Sequence, residues 1–265
     1  MSNMKSLLAA ALALSVPSLV NAETDDWQMS GLVYVYVPTI DGETAYPASP
    51  GGGVSIDAGS LLNLEAAFMG SFAANKGPWG VFADVVFADV SATNSPAREF
   101  SIGGDRIPID VAAKVHFGLN GWCWTLAGTH RFIESPRASI AAIAGARVLD
   151  VNEDLDWQLS GNVGSIPIEA REGQQTSGLT NWDAIVGVRG RVKLGTDGRW
   201  FVPVYADLGT GESKLTWQAI AGLGYTFDWG DVLAAWRHID YDMKSDNEIQ
   251  SLSFDGPAFG VAFRW

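Results

Sequence analysis

Apolar and polar residues alternate along most of this chain. From Leu215 to Phe227 one face carries Leu215, Trp217, Ala219, Ala221, Leu223, Tyr225 and Phe227, and the other Thr216, Gln218, Ile220, Gly222, Gly224 and Thr226. Residues 182–194 repeat the pattern, with Trp182, Ala184, Val186, Val188, Val192 and Leu194 against Asp183, Gly187, Arg189, Arg191 and Lys193. A period of two is the strand signature. Soluble sandwiches also alternate, so length has to discriminate. The alternating segments run for roughly 10 to 14 residues, whereas globular strands average about 5–6. Tilted strands need roughly 9–11 residues to cross the hydrocarbon of a bilayer.

The pattern predicts strands over 27–37, 62–74, 79–92, 109–132, 138–155, 181–195, 199–209, 214–227, 231–242 and 256–265. Tight turns at Asn75 to Pro78, Ile133 to Arg137, Thr196 to Gly198 and Asp228 to Gly230 alternate with polar outer links over 38–61, 93–108, 156–180 and 243–255, and a shorter one over 210–213. Short turns at one end, long loops at the other and an even strand number are the organisation of a bacterial outer-membrane barrel. The fold expected is therefore all-β: a closed antiparallel transmembrane β-barrel of about ten strands, with eight or twelve left open. Segment 109–132 is the source of that latitude. Its apolar face is Val111, Ala113, Val115, Phe117 and Leu119, then Trp122, Trp124, Leu126 and Phe132, so parity switches at Asn120-Gly121. A bulge explains the switch, and an Asn-Gly hairpin is the alternative.

Aromatic residues gather at strand ends. Trp27, Trp79, Phe132, Trp200, Phe227, Trp229 and Trp265 mark one level, and Phe87, Trp182 and Trp217 the other. Amphipathic rings settle at both headgroup layers of a membrane. The segment 1–22 reads as a secretory signal peptide, with Lys5 in the n-region, an apolar stretch from Leu7 to Val20 and the cleavage pattern Val20-Asn21-Ala22. Pro17 and the short apolar run argue against a membrane-anchoring helix. Residues 23–265 would then form a single barrel domain, exported through the inner membrane to the outer one.

Composition narrows the function classes. With 17 basic against 30 acidic residues the net charge is −13, which argues against a nucleic-acid partner because that affinity comes from neutralising phosphates. One cysteine, Cys123, excludes a disulfide framework and a thiolate metal cluster. No phosphate loop is present in the required context, since Gly51-Gly52-Gly53 sits in a polar link rather than between strand and helix. The sequence asks for no cofactor and no metal.

The terminal Gly260-Val261-Ala262-Phe263-Arg264-Trp265 resembles the C-terminal signature of Gram-negative outer-membrane β-barrels. Most members end in Phe, so Trp265 departs mildly. The stretches Trp217 to Tyr225 and Asp255 to Gly260 are similar to uncharacterised proteobacterial outer-membrane proteins. The resemblance implies Phe263 and Trp265 as the assembly signal, the barrel assembly machinery as a partner, and outer-membrane lipid and lipopolysaccharide as surroundings.

Charged residues fall on the polar face. Arg147, Arg189, Arg191, Arg237 and Arg264 share it with Glu65, Asp84, Asp183 and Asp207. Guanidinium–carboxylate pairs can fill and close a lumen, and barrels of about eight strands are filled by side chains whereas water-filled channels belong to about sixteen. The same charges could instead line a constriction selecting small solutes, with Arg147, Arg189, Arg191, Arg237, Asp84 and Asp183 on it. A third reading is a hydrolase at the outer rim. His238-Ile239-Asp240 resembles the His–Asp pair of omptin proteases, which are also ten-stranded, and Asp84, Asp89 and Asp242 could join it. A lipid-modifying barrel would need a serine beside histidine, and Ser251 and Ser253 lie nearby. His116 and His130 read as packing residues. Acids in the outer links (Asp41, Glu43, Asp57, Asp156, Glu169, Glu172, Asp246 and Glu248) are solvated surface or bridge divalent cations to lipopolysaccharide phosphates. The leading expectation is a non-enzymatic barrel with a structural or surface role; a narrow channel and a rim enzyme are the alternatives.

Overall fold

The computed structural model describes residues 26–44, 54–57, 63–93, 100–102, 105–106, 111–163, 166–244 and 249–265. The segment read as a signal peptide and the glycines Gly51 to Gly53 lie outside the described residues. The strands are β1 (Gln28–Tyr36), β2 (Thr39–Thr44), β3 (Val54–Asp57), β4 (Asn63–Lys76), β5 (Trp79–Thr93), β6 (Phe100–Ile102), β7 (Asp105–Arg106), β8 (Val111–Glu134), β9 (Ala138–Val163), β10 (Ile166–Leu194), β11 (Trp200–Gly211), β12 (Ser213–Thr226), β13 (Asp231–Met243) and β14 (Ile249–Arg264). Ten of them, β1, β4, β5 and β8 to β14, pair in that order, each antiparallel to the next. β1 closes the cylinder on β14, from Ser30 opposite Arg264 to Tyr36 opposite Ala258. The fold is a closed ten-stranded barrel, and the eight- and twelve-stranded alternatives fall away.

Local chemistry explains the short-turn end. Gly77, Gly195 and Gly198 adopt φ of 58°, 71° and 63°, a left-handed conformation that costs glycine nothing. Ser135 donates its backbone N–H to the Ala138 carbonyl at 2.8 Å, tying the turn between β8 and β9.

At the opposite end the structure departs from the pattern reading. Residues 156–180, expected as a loop, are mostly paired strand: β9 and β10 run as one ribbon from Val192 opposite Ala138 to Ile166 opposite Val163. Thr176 donates to the Asp154 carboxylate at 2.8 Å and Thr180 to Asp150 at 3.0 Å across it. Its described inward positions mix polar Ser177 and Asn181 with Leu179 and Val151, so apolar periodicity does not mark it. Likewise β14 begins at Ile249 and continues pairing into β2, then β3, β6 and β7, within links expected to be irregular.

The parity switch in β8 also has another cause. Asn120 and Gly121 pair in unbroken register with Asp89 and Ala88 on one side and with Asn152 and Val151 on the other. There is neither a bulge nor a hairpin at that point; the β8–β9 register shifts between Arg131 and Ile133 instead. Leu119 and Cys123 face inward and are buried with Leu149, Val151, Ile239, Tyr241, Met243, Ile249, Leu252 and Ile40. The outer half of the lumen is an apolar core, so an apolar residue there does not imply a lipid-facing one.

A carbon added to Gly145 would run into the Leu126 carbonyl of the neighbouring strand, while one on exposed Gly128 would meet its nearest atom, the Ala144 carbonyl, at 3.8 Å. Gly145→Val should therefore abolish the heat-dependent mobility shift of the folded barrel on a cold SDS gel, while Gly128→Val should retain it.

Candidate functional site

The lumen is built in layers because alternate residues of every strand must point into it. At the short-turn mouth Asp231 accepts from Arg191 at 2.7 Å, from Arg264, and from Thr226 at 2.8 Å. Arg191 also covers the Phe201 ring, 3.8 Å from its centroid.

Further in, Arg237 and Asp84 form an ion pair at 2.8 Å. Tyr34 donates to the other Asp84 oxygen at 2.8 Å and accepts from Arg237 at 2.5 Å. Gln218 accepts from Arg237 at 3.2 Å, and the Tyr36 hydroxyl donates to the Arg237 carbonyl at 3.2 Å. Next comes the pair of Arg147 with Asp207, both side chains fully buried. Arg147 donates to Thr125 at 3.4 Å and Thr216 at 3.3 Å, and Tyr205 donates to Asp207 at 2.5 Å. Asp183 is held differently: Asn181 donates to one carboxylate oxygen at 2.6 Å and the Ser213 backbone N–H to the other at 2.9 Å. The apolar cluster around Leu149 and Tyr241 then closes the outer half.

Arg189 stands apart. Its guanidinium lies 4.0 Å from the Phe82 ring centroid, and among the described residues no carboxylate reaches ion-pair distance of it. Glu65 is in β4, and its side chain lies outside the described residues. The glycines preceding Arg147 and Arg189 in the pattern, Gly145 and Gly187, make room for neighbouring strand backbone at Leu126 and Ala206 rather than for a guanidinium. The tyrosines Tyr34, Tyr36, Tyr205 and Tyr241 were not singled out by charge patterning, yet they occupy much of the lumen.

The wall's outer surface is apolar. Trp27, Trp79, Trp182, Trp200 and Trp229 are exposed, whereas Trp217 is half-buried against His238 at 4.4 Å. At the short-turn end Trp200, Tyr225, Phe227, Trp229 and Phe263 form a continuous run of ring contacts at 5.0, 4.8, 5.5 and 5.9 Å. Trp265 is exposed and lies 6.3 Å from Phe72.

The residues considered for a rim hydrolase do not assemble in the lumen. His238 pairs through Nδ1 with Asp255 at 2.9 Å, and Trp236 donates to the same carboxylate at 3.0 Å. Ser253 and Ser251 lie opposite Asp240 and Asp242 on the neighbouring strand, and Lys214 engages Asp242 at 2.8 Å. His238 alternates with inward Arg237 and Ile239 and so sits on the outer surface, across the wall from buried Asp84. Asp89 is opposite Asn120 on β8. His130 packs against Trp79 at 4.3 Å. Among the described residues no group of three His, Cys, Asp or Glu could hold a metal ion. Of the outer acids, Glu172 is exposed, while Asp246 and Glu248 lie outside the described residues.

No protein-family model matches the chain, and no curated protein does. Among solved structures it is similar to the outer-membrane protease OmpT of Escherichia coli, at TM-score 0.52 and 9% identity over 91% of this chain and 98% of that one. It also matches the attachment invasion locus protein Ail of Yersinia pestis, at TM-score 0.31 and 11% identity over 90% and 98% of the two chains. At 9% identity the likeness to OmpT is one of fold, that of a Gram-negative outer-membrane β-barrel.

Breaking the buried Arg147–Asp207 pair from one side strands a charge, at a cost of about 3–5 kcal/mol. Asp207→Ala should lower stability by that order in urea titrations of the vesicle-reconstituted barrel. Arg147→Met with Asp207→Leu should cost less than Asp207→Ala alone.

Proposed function

We propose that the protein is an integral outer-membrane barrel with a closed lumen, whose role is structural and surface-presenting rather than catalytic or conductive. The observation that carries this reading is the stacked occlusion of the lumen. Arg147, Asp183, Leu149 and Tyr241 are each at most 2% exposed, in a cylinder whose outer wall is apolar. A solute crossing it would have to separate a fully buried ion pair and then part an apolar core, and each is costly.

In this reading the short-turn end faces the periplasm and the β9–β10 ribbon stands outside the cell. The signal segment 1–22 directs export, and the terminal strand with Phe263 and Trp265 is presented to the barrel assembly machinery. Lipid contacts the apolar wall, and lipopolysaccharide surrounds the outer rim. The ribbon carries Asp150, Asp154, Asp156 and Glu172. Its paired backbone makes it a projecting surface rather than an irregular loop.

Purified protein in a planar bilayer should give no unitary current steps, while a cold SDS gel shows the compact, heat-modifiable form. Steps of reproducible amplitude from that same preparation would establish the narrow-channel alternative.

A further inference from the structure

The closed lumen is not filled throughout. Between the Arg147–Asp207 layer and the short-turn mouth lies a chamber of about 630 Å³. That size falls within the roughly 300–1,000 Å³ of small-molecule pockets. Gln28 and Trp265, both exposed, lie at its rim, so it opens on the side of the short turns.

Its charge is opposite to that of the chain. Five arginines and two aspartates line it, in a protein whose net charge is −13. The pairing among them is uneven. Arg237 has Asp84, Arg131 has Glu134 at 3.0 Å, and Arg191 and Arg264 divide the single carboxylate of Asp231. Arg189 has the Phe82 ring and no carboxylate among the described residues. A half-buried guanidinium with no carboxylate at ion-pair distance keeps unmet N–H donors facing the chamber, and an anion that joins it meets them. Its planar fork fits a carboxylate through two parallel hydrogen bonds. The cation–π contact holds that plane on Phe82 without using the N–H groups.

We propose that this chamber binds a small carboxylate with an apolar body, its charged end on Arg189. The apolar body follows from the walls, because Phe82, Phe201, Ile220 and Leu233 line the same space. Since the Arg147 layer closes the far end, the chamber captures its ligand from the short-turn side and does not pass it on. Charge assembled on that side of the lumen thus has a use that a purely structural filling would not require.

The test uses the full folded chain in detergent, with sodium benzoate as the probe in titration calorimetry at fixed ionic strength. Saturable binding at one site per barrel is expected, with benzamide failing to compete because it lacks the charge. Arg189→Gln, shown to be folded by its heat-modifiable mobility, should weaken benzoate by at least about tenfold, equivalent to about 1.4 kcal/mol. Arg189→Lys, which keeps the charge and loses the fork, should fall between them. Absence of saturable benzoate binding would overturn the proposal, as would equal affinity in folded Arg189→Gln. Equal affinity of the unaltered chain for benzoate and benzamide would do the same without any variant. A barrel that conducts yet binds benzoate through Arg189 would overturn the closed-lumen reading and leave this one standing.

Discussion

The constraint on which everything else rests is that backbone N–H and C=O groups facing hydrocarbon have no water to bond with. Each unsatisfied group costs several kcal/mol there, so a sheet can span only if it has no edge. The seven residue pairs joining β1 to β14, from Ser30–Arg264 to Tyr36–Ala258, remove that edge. Closure then dictates the alternation, because every strand must present one face to lipid and the other to a confined axis. Val33, Leu126, Val186, Leu208 and Phe259 are exposed on the wall for this reason, although each would be a buried residue in a soluble protein.

Confinement raises the second problem, which is what to place on the axis. Ten strands enclose too little room for a wide pore and too much for small residues alone. Long polar side chains fill the volume only if each head is bonded. Arg237 comes close to this with Asp84, Tyr34 and Gln218 together, and Arg147 with Asp207, Thr125 and Thr216, leaving Arg237 Nε and Asp207 Oδ1 unbonded. Tyrosine serves both purposes, because its ring packs and its hydroxyl bonds the carboxylate that pairs with the arginine. Such layers cross-link strands far apart in sequence, such as β1 with β13 and β9 with β11, and so act as internal braces.

Features imposed by the bilayer were legible in the sequence, and features imposed by water or by neighbours were not. The ten spanning strands follow from alternation because lipid enforces it at Ala184, Val186 and Val188 without exception. In the β9–β10 ribbon beyond Trp182, buried Ser177 and Asn181 are themselves polar, which removes the contrast, and a paired ribbon looks like a Gly- and Ser-rich loop. Leu119 misleads for the converse reason: the outer lumen is dry, so its apolar side chain faces inward. The charged lumen residues could be enumerated from parity, but their partners could not. Asp183 takes Asn181 and a backbone N–H, and Arg189 takes an aromatic ring, because partner choice depends on shear between strands, which no local pattern encodes. His238 and Asp240 share a face, yet the histidine bonds Asp255 across the β13–β14 pair.

A polarity gradient along the axis follows from these choices. The outer half of the lumen is packed with Leu149, Tyr241, Met243 and Leu252, and the inner half holds an open chamber lined by five arginines. A barrel needing only to be filled could place either half at either end. Putting the apolar half beneath the ribbon gives the projecting strands a rigid base, since a packed core transmits strain where a wet one would absorb it. Putting the cationic half at the opposite mouth leaves guanidinium groups where the chamber opens to solvent, which lowers their desolvation cost. The two halves therefore satisfy different demands, mechanical support on one side and charge solvation on the other, and the Arg147–Asp207 layer is the boundary between them.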